Sequence, residues 1–452
     1  MLIGIGLAIL AALATVLPFG FLLPVAAIAV LCLFIVPLDK LLFYMWIGIF
    51  ISAFFGAYLG IPGSENIFLF RILLLLHFLL FLFLPKKQIA HMKPMRWLFF
   101  LLAAWLVGFT ITLFWSESVA AGLRYIYYIF ELSYLIFLSV YYLRTKEQFF
   151  TFSKIITVIY VLQIVIGLAE VFTGWHLPQS GAFVYDTTTS AFQPTGLLFN
   201  TNDYALFLTI FLPVVFWRLT KLRQAYRAIT LVLVSLVPLY LVITTYSRLG
   251  LIAYVVVLIA LLIPYAKKIS ILIGAWVMFL ITNVLLLLPT AFSKVNEIVD
   301  SSFTEKGAST SDRLERYNTL WQMIKDSKLL GVGAGNAPLK LEQYRLGHEQ
   351  VQELILAPHN FWLELIADGG IFSIFPLVFF ILLLGMSVYY WWTTRKQGDA
   401  LFMVLPILIV LVFAVAAVAL STVIDKRYLW IAIGMAVAAL NITINKWKER
   451  KQ

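Results

Sequence analysis

Long apolar blocks separated by brief polar breaks run along almost the whole chain. Fourteen such runs stand out, at roughly 2–17, 20–37, 41–60, 66–84, 97–115, 121–142, 153–172, 203–217, 227–246, 249–265, 269–289, 366–391, 401–420 and 428–445. Most are about 20 residues long, enough to cross a hydrocarbon core of about 30 Å as a helix. The first two are short and separated only by Pro18-Phe19-Gly20, which makes them either a tight hairpin or one broken segment. Met1 to Leu17 has no charged start and no small-residue cleavage site, so it reads as a retained helix rather than a signal peptide. The expectation is an all-α polytopic membrane protein of about 12–14 transmembrane helices.

Two polar stretches break the rhythm. Thr173 to Asn202 contains no Lys or Arg and is rich in Thr, Ser, Gly and Pro; Ala291 to Pro358 alone has a soluble-like composition. Loops this long in a compact architecture are usually functional or disordered. The stretch ending at Pro358 carries the marks of folded structure. Asp312 and Glu315 have capping-box spacing, and Leu314, Tyr317, Leu320, Trp321 and Ile324 then recur at helical intervals. Gly331-Val332-Gly333-Ala334-Gly335 ends that helix, and Leu339 to Leu346 suggests another. The pattern predicts a helical lid and three regions: a transmembrane bundle over 1–289, a large extracytoplasmic loop over 290–358, and C-terminal transmembrane helices over 359–452.

Composition strengthens the membrane reading. Of 452 residues 62% are hydrophobic and only 12% charged, where soluble domains run near a quarter charged. The single cysteine, Cys32, excludes an intrachain disulfide and a cysteine metal cluster. A net charge of +11 would suggest nucleic acid until the charges are placed. With the N-terminus cytoplasmic and every run crossing, most of the 33 Lys and Arg fall in inner loops. The short outer loops then hold only Arg124, Arg248, Lys426 and Arg427. This is the positive-inside bias, so the basic balance reports topology and no nucleic-acid partner is expected. Both termini are predicted to be cytoplasmic.

Several residues could carry chemistry. His359 lies where the long loop re-enters the membrane, and a histidine of ordinary pKa can accept a proton there; alternatively it caps the helix beginning near Asn360. Arg248, in Thr244-Thr245-Tyr246-Ser247-Arg248-Leu249-Gly250, sits between apolar helices with almost no loop. A charge so placed marks a phosphate-binding site or snorkels to headgroups. Arg313 and Arg316 fall in the first turn of the predicted lid helix, where cations are unfavourable unless an anion binds; arginines on a solvated helix are the plainer reading. Arg124 has Glu117 nearby for an ion pair. Asn200, Asn202 and Asp203 either cap the next helix, the favoured reading, or bind a hydroxylated substrate. The glycine run lacks the strand and the Gly-Lys-Ser/Thr of a phosphate loop, so helix termination is expected. No His, Asp or Glu pair has metal-ligand spacing, and neither a metal nor another cofactor is expected.

Four stretches in order resemble the bacterial O-antigen ligase and polysaccharide polymerase family of membrane glycosyltransferases. They are Gly196-Leu-Leu-Phe-Asn-Thr-Asn-Asp-Tyr-Ala205; Tyr246-Ser247-Arg248-Leu249-Gly250; Ser311-Asp312-Arg313 with Trp321 and Leu329 to Asn336; and Pro358-His359-Asn360 through Gly369-Gly370. They cover residues 196–375. The family's Ser-Arg-Gly turn reads Ser-Arg-Leu-Gly here, and the position after the histidine motif is Ser373; both departures touch the local backbone and neither removes a charge. The resemblance implies a GT-C-like fold in the bacterial cytoplasmic membrane with an outward-facing site. It implies transfer of a glycan from an undecaprenyl-pyrophosphate-linked donor to a glycan or lipid-linked acceptor among membrane lipids, without metal and with inversion. Arg248 and Arg313 would neutralise the pyrophosphate and His359 would take the acceptor proton. Polymerase and ligase share the donor, so sequence leaves that choice open, and a Gram-positive polymer such as teichuronic acid is one candidate product. Rival readings are a lipid-linked oligosaccharide flippase or transporter, expected to show repeated halves and mid-membrane charges, and a peptidoglycan polymerase leaning on a loop aspartate.

Overall fold

The computed structural model describes residues 36–61, 64–183, 190–263, 307–345, 357–396 and 398–452. The runs at 2–17 and 269–289, most of 20–37, and Cys32 lie outside the described residues. Each remaining run forms a helix. They are α1 Leu38–Phe55, α2 Leu69–Leu82, α3 Arg96–Ile111, α4 Val119–Tyr142, α5 Lys146–Thr173, α6 Thr201–Leu219, α7 Gln224–Thr244 and α8 Arg248–Leu262. The lid region supplies α9 Gly307–Asp326 and α10 Ala337–Arg345. Beyond it come α11 Phe361–Gly369, α12 Ile374–Thr394, α13 Ala400–Ala419 and α14 Arg427–Glu449. Among the described residues, nine helical segments are long and apolar enough to cross a membrane, and Leu69–Leu82 and Arg248–Leu262 are shorter apolar helices. The protein is an all-α polytopic membrane protein. A small antiparallel hairpin, Gly60–Ile61 with Ser64–Phe68, interrupts the helical pattern between α1 and α2.

The chain falls into two compact units, 1–88 and 89–452. In the first, α1 packs against α2 through Trp46, Phe50, Phe70 and Leu74, all buried. In the second, α6 and α14 are almost wholly enclosed by the other helices. Helix α14 can occupy the centre because Ala432, Gly434, Ala436 and Ala438 keep it thin. A Cβ on Gly434 would lie 2.5 Å from Ser139 Oγ, so α4 and α14 touch almost backbone to backbone. With no apolar driving force between helices in lipid, such close packing is what holds them together. Trp105, Phe361, Phe380 and Phe413 gather around Trp430 of α14.

The lid is built from α9 and α10 and rests on α11 through Leu320, Met323, Ile324, Val332, Leu341 and Ala367. Three expectations need correction. Helix α9 is already helical at Gly307, so Asp312 and Glu315 lie within it and Arg313 and Arg316 are not in its first turn. Its buried face is Leu320, Met323 and Ile324, whereas Leu314 and Trp321 are exposed; at 100° per residue those two fall off the face that the others define. The membrane run expected from 366 starts at Phe361 and breaks at Gly370, where φ is +52° and a Cβ would collide with Leu329 O. Only glycine tolerates that approach of the lid backbone.

Candidate active site

His359 stands in the turn between the lid and α11, at φ +57°. A non-glycine residue in this region is strained, and such strain persists only where its surroundings over-determine it. The surroundings here are three hydrogen bonds. Tyr317 Oη donates to His359 O at 2.9 Å, Arg316 Nη1 donates to Ala357 O at 2.7 Å, and His359 N–H donates to Ser421 O at 3.3 Å. Two come from α9 and one from the turn after α13, so the lid clamps the histidine onto the bundle. The capping role open to His359 belongs to Asn360, whose Oδ1 accepts from Trp362 N and Leu363 N at 3.1 and 3.2 Å. The imidazole is left for other work. Its Nδ1 is enclosed and has no hydrogen-bond partner among the described residues.

Burial, then the charges of Arg313 and Arg316, lower the His359 pKa from 6.5 to about 4. The ring is therefore neutral at physiological pH, with two cations beside it. Arg313 and Arg316 reach it because they lie on the inward face of α9, two turns and one turn before Leu320. Burial holds the Tyr317 phenol above its ordinary range despite Arg313, so it stays a donor.

Contrary to expectation, the glycine run does not end α9. The helix stops at Asp326, where Lys328 and Leu329, at φ +49° and +65°, turn the chain and Leu329 N donates back to Ile324 O. The run that follows docks the lid instead. Val332 N donates to Ala367 O, Gly333 N to Asp368 O, and Ile371 N to Leu329 O. Gly331, Gly333 and Gly335 all have positive φ, and a Cβ on Gly333 would collide with Ser116 Oγ. Asp368 Oδ1 accepts from Ala337 N at 2.7 Å, starting α10. Asn336 bridges to the loop before α4, accepting from Ser118 N at 2.8 Å. Sequence reading missed Tyr317, Asn336 and Asp368 as supports. Asn336 and Asp368 stand inside the motif stretches and Tyr317 on the predicted lid face, but their partners are remote in sequence.

Arg248 begins α8 behind the cap Ser247, and the preceding Tyr246 is again strained at φ +56°. Gly250 packs on Ala205, where a Cβ would lie 2.8 Å from the alanine methyl, so α8 and α6 start side by side. The start of α6 is tied to that of α14 by Asp203, which takes Tyr428 Oη at 3.1 Å and Lys426 Nζ at 3.3 Å. Arg248 thus shares the lid end of the bundle with His359. Asn200 caps α6 through Asn202 N at 2.7 Å, and Asn202 lies in the first turn. The expected Arg124–Glu117 pair is replaced. Glu117 precedes α4 and meets the docked α10, pairing with Lys340 Nζ at 3.3 Å, whereas Arg124 lies over a turn into α4 and is exposed. The segment between α5 and α6 is anchored by a buried cluster that sequence reading did not single out. His176 Nδ1 lies 3.1 Å from Glu170 Oε1, and Glu170 Oε2 accepts from Thr195 N and Gly196 N at 2.7 Å each. Among the described residues no group of three His, Cys, Asp or Glu is arranged to hold a metal ion.

Such a site offers an electropositive, partly enclosed place beside a neutral base. Residues 233–378, which include Arg248, Arg313 and His359, match the O-antigen ligase family. The chain is also 28% identical over 412 residues to the teichuronic acid biosynthesis protein TuaE of Bacillus subtilis (strain 168), covering 86% of this chain and 81% of that protein. Both findings bear out the resemblance to the O-antigen ligase and polymerase family and support a membrane protein of cell-surface polysaccharide biosynthesis.

Proposed function

We propose that this O-antigen ligase and polymerase relative is an inverting membrane glycosyltransferase that moves or polymerises an undecaprenyl-pyrophosphate-linked glycan onto an acceptor sugar hydroxyl. The site faces outward from the cytoplasmic membrane, with both termini in the cytoplasm. The observation that carries the reading is His359: a neutral imidazole, strained in its turn, with Nδ1 unpartnered among the described residues and two arginines beside it.

In the reaction the acceptor oxygen attacks the anomeric carbon from the face opposite the pyrophosphate. Its proton passes to the His359 ring, the bond from the anomeric carbon to the phosphate oxygen breaks, and undecaprenyl pyrophosphate leaves with the extra negative charge. Arg313 and Arg248 neutralise that charge, and such preorganised cations act most strongly where water is excluded. Binding of the donor also changes the base. The pyrophosphate offsets the arginine charges that press on His359, so its pKa rises once substrate is bound and proton uptake becomes easier. Arginines supply the positive charge, so divalent ions are not required. The polymer class suggested by the Bacillus subtilis relative is a teichuronic-acid-type chain.

The test uses purified full-length protein in lipid, with a polyprenyl-pyrophosphate oligosaccharide donor and chelator present. Glycan transfer by the unaltered protein and its loss in His359→Gln is the expected result. Movement of the labelled lipid across the bilayer with no glycosidic bond formed would instead identify a flippase.

A further inference from the structure

On the half of the second unit remote from the lid, α3, the turn before it and α4 line a groove of about 540 Å³. Its place follows from the two ends of α3. The helix starts at Arg96, and the turn that follows its C-terminus reaches the lid, where Trp115 Nε1 donates to Gly331 O at 3.1 Å. Apart from its basic end, the groove is lined mainly by apolar side chains, among them Phe99 and Ala103 of α3. Its other wall is a ladder on α4. The rings of Phe130, Tyr134 and Phe137 stack at 5.8 and 5.9 Å, with planes 10° and 9° apart. Parallel and offset along α4, these rings make one continuous apolar face, and Phe137 meets Phe99 of α3 edge-on at 5.9 Å. At the end farthest from the lid stand Lys93 and Arg96, both exposed.

An apolar trough closed at one end by two cations has the polarity of a membrane lipid with a negative headgroup. We propose that it binds an anionic glycerophospholipid of the leaflet opposite the lid. The phosphate sits between Lys93 and Arg96, and one acyl chain lies along the Phe130–Tyr134–Phe137 ladder toward the bilayer centre. The volume falls within the roughly 300–1,000 Å³ of small-ligand sites. Basic pockets between transmembrane helices are suited to anionic headgroups, and the arginine fork matches a phosphate. Cations that merely snorkel would offer the charge without a seat for the chain. The site is separate from the His359 centre and does not depend on the reaction proposed there.

The experiment measures lipid retention by native mass spectrometry on the detergent-purified full chain. Phosphatidylglycerol competes with phosphatidylcholine of identical acyl chains. At about tenfold per 1.4 kcal/mol and roughly 1 kcal/mol per basic residue, a preference on the order of thirtyfold for phosphatidylglycerol is expected. It should fall to near parity in Lys93→Gln/Arg96→Gln. Ala103→Trp, which fills the groove and leaves both charges, should lose retention of both lipids. If the double variant does not fold, Ala103→Trp alone carries the test. Equal retention of the two lipids by the unaltered protein overturns the site, as does a preference that survives either variant. The latter would mean ordinary annular attraction to surface cations.

Discussion

Two sites at opposite ends of the second unit, Asp399 and His359, handle charge in opposite ways. Between α12 and α13, Asp399 Oδ2 receives Lys146 Nζ at 2.7 Å, Lys221 Nζ at 2.6 Å and Trp217 Nε1 at 2.9 Å, while Oδ1 accepts from Phe402 N at 3.4 Å. Burial alone would raise this carboxyl, but its donors hold it down to about 2. Both oxygens are engaged, and the arrangement is complete as it stands. At the lid end, burial and two arginines push His359 down to about 4, and its Nδ1 has no partner among the described residues. A saturated ion network stabilises the fold that contains it. An electropositive pocket with an idle base does little for the fold and becomes complete only with an anion bound.

That contrast can be broken by substitution. The largest effect is expected for His359→Ala, a loss of about 10²–10⁴ in transfer rate from removing a general base, with the thermal midpoint unchanged; a rate within about twofold of the unaltered protein sinks the assignment. Arg313→Ala should cost on the order of 10² in kcat, a typical effect of removing a transition-state donor, and initial rates at saturating donor would measure it. Tyr317→Phe removes one donor to the strained turn and should slow transfer about tenfold, near the worth of one hydrogen bond. Full rate in that variant would mean that the turn holds itself.

Smaller changes sharpen the comparison. The free protein holds His359 neutral above about pH 4, so kcat/KM should fall only as pH drops through about 4. The kcat profile should lose its acid limb at a higher pH, because bound pyrophosphate offsets Arg313 and Arg316. Arg313→Gln should move the kcat/KM limb upward for the same reason, and an unmoved limb would show that burial alone sets it. At the opposite end, Asp399→Asn should leave transfer unchanged while lowering stability by about 1 kcal/mol, because Lys146 and Lys221 keep access to water and only Trp217 among its side-chain donors is buried. A loss of activity at constant stability there would erase the distinction between the two ends.

Much of the candidate site is legible in the sequence. His359 and Arg248 stand out because a charged or titratable group beside long apolar runs needs a reason to be there. Arg313 stands out because a cation expected in a helix's first turn suggests a bound anion. The start of α9 is not legible, because capping residues at Asp312 and Glu315 also fit a helix interior, and the helix extends back to Gly307. A face drawn through Leu320 and Ile324 alone places Arg313 and Arg316 on its inward side. Nearness in sequence pairs Glu117 with Arg124, yet the carboxylate's partner is Lys340, more than two hundred positions away.

Sequence by itself determined the membrane fold, the place of most of the described membrane helices and the residues worth suspecting, because hydrophobic length and charge placement act locally along a chain in lipid. Tertiary structure alone decided what those residues face. The left-handed turn of His359, its clamp from Tyr317 and Arg316, and the glycine run seated on Ala367 and Asp368 all join segments distant in sequence. Such contacts arise only when α9 docks on α11, and no local pattern encodes the distance at which two helices meet.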